Sequence, residues 1–149
     1  MQGQLKEEAA LEKDDFIVIM QTEFQKHLMQ KFGSKGLYCD TTHGTTGYDF
    51  KLNSLLVLDE FEEGVPVAFC LSNRDNFAFM KLFFSKIRDN TGAISPCWFM
   101  SDTASQFYEA FALVNECSPK QFICVWHVDK AWKKELRGEV KNFESQTII

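Results

Sequence analysis

No apolar run in this chain approaches the ~20 residues needed to cross a bilayer as a helix, which excludes a helical membrane span. The first fifteen residues, MQGQLKEEAALEKDD, lack the basic start and apolar stretch of a secretory signal. Cysteine is too scarce and too irregular for a disulfide framework. There are five (Cys39, Cys70, Cys97, Cys117 and Cys124), an odd number, and four fall among apolar residues of strand-like or helical segments. That pattern predicts reduced, mostly core thiols in an intracellular protein. Internal repeats, low-complexity segments, obvious linkers and a recognisable DNA-binding finger are all missing. An excess of positive charge is missing too: the net charge is −5, which argues against a module with a basic face all round.

What is present is enough for one domain with a core. The chain has 149 residues, 45% of them hydrophobic, with fifteen phenylalanines, and a chain of that size buries most of its apolar surface. Its charge is unevenly spread. Asp59, Glu60, Glu62 and Glu63 form an acidic turn, whereas residues 120 to 141 carry six basic side chains against three acidic ones. Lys130, Lys133 and Lys134 are the candidates there for contacts to DNA phosphates, although a charged helix face is equally a solvated one.

Periodicity divides the chain into elements. Phe16, Met20, Phe24, Leu28 and Phe32 recur every four residues up to Gly33, which predicts a helix over 11–32. Strands are expected at 36–42 (GLYCDTT), 50–59 (FKLNSLLVLD) and 65–72 (VPVAFCLS), the last two joined as a hairpin through the turn at 62–64. A helix opens at about Asn76 with Asn73 or Asp75 as its cap, and Asn90-Thr-Gly92 ends it. A fourth strand (PCWFMS, 96–101), a helix (103–114), a fifth strand (QFICVWH, 121–127) and a helix from Val128 complete the order. This predicts an α/β fold with a mixed five-stranded sheet, three antiparallel strands followed by parallel ones, flanked by helices. A helical lead-in would occupy 1–34, the core 35–128, and the start of a helical insertion or C-terminal helix 129–149. A right-handed crossover places the fourth strand beside the first, at the switch point where α/β sheets carry their sites.

Two aspartates fall at that point: Asp40 on the first strand and Asp102 at the carboxyl end of the fourth. Neighbouring strands would hold them about 4.8 Å apart, where two ionised carboxylates repel. A divalent cation removes the conflict, since Mg²⁺ or Mn²⁺ takes hard oxygen ligands from one or two carboxylates with water or phosphate completing the sphere. Paired ions of this kind activate the nucleophile and stabilise the leaving oxygen in phosphodiester displacement. Each acid also has a simpler reading: Asp102 as a helix cap with Thr103 or Ser105 nearby, and Asp40 as a carboxylate bonded to Thr41, Thr42 or backbone.

The stretches YCDTTHGT (38–45), LLVLDEFEEGVPVAFCLSN (55–73), WFMSDTASQFYEAF (98–111) and CVWHVDKAW (124–132) resemble the core of the Mutator-like element (MULE) transposases. They are also similar to the RNase H-like domain of SWIM-type zinc-finger proteins. The resemblance implies an RNase H-like fold in which Asp40 and Asp102 match the first two acids of a DDE triad. It implies metal-dependent cleavage and transfer of DNA, with transposon ends and target as partners. It also places the catalytic glutamate after a helical insertion, so Glu135 and Glu139 are poor matches, and Glu139 would lie about three turns into its helix. The chain is expected to be inactive alone, with its end inside the insertion, five strands complete, and apolar surface at Trp132 and Leu136 left for self-association. The alternative is a transposon-derived, SWIM-associated nuclear protein that uses the same domain as a non-catalytic binding module.

Cys124 and His127 form a Cys-x-x-His motif that occurs at this place in the related families. A role as Zn²⁺ ligands requires a chain turn at Trp126 or His127 and further ligands, since a structural zinc usually takes four. A core thiol and a hydrogen-bonded imidazole are the other reading. His43, three residues after Asp40, is expected in an exposed turn or against DNA phosphate. Trp126 and Trp132 are expected to be packed.

Overall fold

The computed structural model describes residues 11–44 and 47–139. Its elements are β1 (Ile17–Met20), α1 (Glu23–Phe32), β2 (Leu37–Thr42), β3 (Lys51–Leu58) and β4 (Gly64–Ser72). They continue with α2 (Phe77–Thr91), β5 (Trp98–Ser101), α3 (Ser105–Asn115), β6 (Lys120–Ile123) and α4 (Val125–Glu139). The six strands form one sheet in the order β1-β4-β3-β2-β5-β6. β1, β4, β3 and β2 pair antiparallel, and β2-β5 and β5-β6 pair parallel. The mixed α/β architecture expected from the sequence is therefore present, with the fourth expected strand beside the first.

Two segments differ from the sequence expectation. Residues 17–20 are a strand at the sheet edge and not the first turns of a helix over 11–32, which makes the sheet six-stranded instead of five. Ile17-Val18-Ile19 is a β-branched run that loses little by extending. Thr22 then starts α1 through a capping box. Its Oγ1 accepts from the Gln25 N–H (3.2 Å), and Gln25 Oε1 accepts from the Thr22 N–H (2.9 Å). The strand expected over 121–127 is also shorter: β6 stops at Ile123 and α4 begins at Val125. The Cys124 carbonyl accepts from both His127 N–H (3.1 Å) and Val128 N–H (3.2 Å), so the chain turns into the helix three residues early.

The core lies on one face of the sheet. Leu37 and Cys39 of β2, Leu55 and Val57 of β3, Val67 and Cys70 of β4, and Phe99 of β5 are buried there against α1, α2 and α3. Phe84 of α2 meets Phe99 and Phe111 edge-on, and Phe99 stacks on Phe111 at 4.8 Å. Each fully buried phenylalanine contributes about 1.5–3 kcal/mol relative to exposure. Asn76 caps α2 by accepting from the Phe79 N–H (3.1 Å).

The opposite face is different. The alternate residues of the same strands point there, and register groups them into rows: Val18, Leu71 and Leu52; then Met20, Phe69, Ser54 and Asp40; then Leu56, Tyr38, Met100 and Phe122. All are half-buried or exposed, and no described helix packs over them. At the β2-β5 corner the Trp98 ring lies over Gly36, where a Cβ would fall 2.0 Å from it. Glycine is what allows Trp98 to meet Tyr38 edge-on at 4.7 Å.

Candidate functional site

The site is built at the carboxyl ends of β2 and β5. Their parallel register pairs Leu37 with Phe99 and Tyr38 with Met100, and continuing it by two residues sets Asp40 beside Asp102. Strand alternation sends Leu37, Cys39 and Thr41 into the core and leaves Tyr38 and Asp40 on the open face. Asp40 is exposed and Asp102 half-buried. Burial pushes the core thiol of Cys39 up, and the nearby carboxylates of Asp102 and Asp40 add smaller effects in the same direction.

Asp102 also has a local role. Its Oδ1 accepts from the Ala104 N–H at 2.9 Å, closing an Asx turn ahead of α3. Ala104 holds the cap position of that helix and makes no side-chain cap bond. The expected capping role thus becomes a bond one residue before the helix, and it engages one carboxylate oxygen. Beneath the pair, Thr41 Oγ1 donates to Asn53 Oδ1 at 2.6 Å inside the core, so Asp40 is not held by its threonine neighbour Thr41.

His127, expected at the end of a strand, lies instead in the first turn of α4. The early start of α4 carries it round to Asp40, with Nε2 3.6 Å from Asp40 Oδ1. That separation is longer than a hydrogen bond and short enough for a charge contact. Its Nδ1 is buried without a hydrogen-bond partner. The signal that could have found this contact is the one-residue joint at Cys124, which puts His127 on the first turn of a helix and not at the end of a strand.

The donor chemistry of Asp40 and Asp102 suits Mg²⁺ or Mn²⁺ in a water-rich sphere held by two carboxylates. Among the described residues, no group of three or more His, Cys, Asp or Glu side chains could hold an ion. For zinc, Cys124 and His127 supply two ligands where a closed site takes four, so these residues do not by themselves make that centre. Glu135 is exposed on α4. By helical rise, Glu135 and Glu139 lie about 12 Å and 18 Å along the axis from His127, which carries them away from Asp40.

The remaining candidates are spread out. His43 is exposed in the loop after β2, and Lys130, Lys133 and Lys134 are exposed on α4. Together with Arg137, Trp126 and the acidic Asp129, the three lysines line one shallow cleft along that helix. Lys130 sits 4.8 Å over the Trp126 ring, and Lys133 pairs with Asp129 at 2.7 Å. Trp126 and Trp132, expected to be packed, are 60% and 69% exposed, because α4 leaves the sheet instead of lying on it.

A mixed sheet with paired acids at the ends of adjacent parallel strands, and helices crossing one face, defines an RNase H-like domain. The chain belongs to the family described as zinc finger SWIM domain-containing protein 1/3, RNase H-like domain, whose family model matches residues 8–112. That span begins before β1, so the edge strand falls within the family's domain. No curated protein matches the chain. No helix among the described residues is long and apolar enough to cross a membrane.

Proposed function

We propose that this chain is a transposon-derived RNase H-like module of a SWIM-type zinc-finger protein, acting in the nucleus or elsewhere inside the cell. In this reading it contacts DNA without cutting it. The observation that carries the reading is the setting of Asp40: an imidazole, not a third carboxylate, stands 3.6 Å from it. The helix bearing Glu135 and Glu139 leads both acids away. Two carboxylates then hold a divalent cation weakly, and the cation supplies charge for a phosphate contact rather than a closed two-ion centre. The basic stripe Lys130, Lys133, Lys134 and Arg137, headed by Trp126, supports a salt-dependent contact with the DNA backbone.

The rival reading, an active Mutator-like strand-transfer core, is favoured by the Asp40-Asp102 register alone. Plasmid nicking in Mn²⁺ separates the two. The expected outcome is no nicking above buffer for the wild-type chain. Calorimetry should give a weak Mn²⁺ heat that Asp40→Asn and Asp102→Ala each remove. Nicking that depends on Mn²⁺ and disappears in Asp40→Asn would return the transposase reading.

A further inference from the structure

Among the described residues, nothing packs over two apolar surfaces. One is the open face of the sheet, where Val18 and Met20 are 39% and 44% exposed beside Leu71, Leu52, Phe69 and Leu56. Strands β5 and β6 pair parallel at one edge of this otherwise antiparallel sheet, and parallel strands are normally covered on both faces. The other is α4. Val125, Val128, Trp132 and Leu136 recur at three- and four-residue spacing on one side of it, and every residue from 129 to 138 is exposed.

These surfaces match each other in size. The fifteen residues of α4 span about 22 Å, and six strands at their usual spacing span about 24 Å. Residues 129–138 of the helix are exposed and do not lie on their own sheet. Only Cys124 separates β6 from α4, and its N–H donates to the Ser101 carbonyl (2.9 Å) while its own carbonyl accepts from the first turn of the helix. His127 Nε2 lies 3.6 Å from Asp40 Oδ1 at that carboxyl edge.

The open face also disfavours nucleic acid. Its rows are aliphatic and aromatic, and among the described residues the charged groups that strand register sets beside them are the carboxylates of Asp40 and Asp102 and the ammonium of Lys120 at the edge. Phosphate binding requires clustered cations.

We propose that the occupant is a second copy of this chain, the α4 stripe of each protomer lying on the open sheet face of the other about a two-fold axis. Reciprocal exchange of one element is a low-cost route to a dimer. A face of about 24 by 16 Å plus one helix stripe comes to roughly 600 Å² per partner. The total of about 1,200 Å² sits at the lower end of stable interfaces, so dissociation in the micromolar range is expected. The inference does not depend on the carboxylate pair or on DNA contact.

Sedimentation equilibrium of the full chain from 5 to 200 µM tests it. Wild type should shift from monomer to dimer across that range. The helix variant Trp132→Lys with Leu136→Lys, and the face variant Val18→Lys with Leu71→Lys, should each remain monomeric at 200 µM. Circular dichroism and urea unfolding establish that both variants are folded. Mixing the two should restore a weak heterodimer, because one intact helix still meets one intact face. A monomeric wild type, a dimer indifferent to either variant, or folded variants with no rescue on mixing would each overturn the proposal.

Discussion

Cys70 lies in β4 with no exposed surface, and burial pushes its thiol up to about 11, against a smaller opposing effect of the Ser72 hydroxyl. Below about pH 8.5 the thiol is neutral in both the folded and the unfolded chain and adds no pH dependence. Above that, the unfolded chain ionises while the folded chain stays neutral until about 11. Stability is therefore complete below the unfolded value and is lost as pH rises through that window, at up to about 1.4 kcal/mol per pH unit. Cys39 acts in the same direction. Urea unfolding at pH 7, 8.5 and 10 should show this alkaline decline. Cys70→Ala should lower the whole curve for its cavity and flatten its slope by roughly the share of one group. An unchanged slope in that variant would assign the decline elsewhere. The residue scale is also where the site was most legible. Asp40 and Asp102 could be paired from alternation and strand order alone, since both depend only on the local period of two and the crossover rule.

Elements were legible where one period fitted and ambiguous where two did. Residues four apart share a helix face, but they also share a strand face, because four is a multiple of two. Phe16 and Met20 satisfied both rules, and the β-branched residues between them decided for strand. At the other end, Cys124 to His127 carried no glycine or proline to mark the joint, so the expected strand ran on to His127 where α4 begins at Val125. The boundary between β1 and α1 rests on a few atoms. Thr22 and Gln25 exchange capping bonds, and Gln25 Nε2 also donates to the Pro66 carbonyl of β4 at 3.2 Å. Thr22→Ala should cost about 1 kcal/mol in urea unfolding, and Thr22→Ser should cost much less, because serine caps as well as threonine. Equal losses in the two variants would point to the threonine methyl and not to the cap.

At the scale of the whole molecule, stability is expected to be uneven. β2 and β3 sit inside the sheet, with paired neighbours on both edges and buried residues beneath them, so their amides open only with global unfolding. α4 has neither a flanking strand nor a helix packed along it, and an isolated helix of its length is marginal in water. Its residues beyond the first turn should therefore exchange at close to unprotected rates in dilute solution, whereas the first turn is held by the Cys124 carbonyl. The proposed dimer adds a concentration dependence that a monomer cannot have. Protection along Asp129 to Leu136 should rise between 5 and 200 µM together with protection of edge strand β1, while β2 and β3 stay unchanged. Hydrogen exchange followed by mass spectrometry at both concentrations reads the two regions in one experiment. Coupled protection means that the helix of one copy and the sheet of another meet, because mass action stabilises only the surfaces that an association buries.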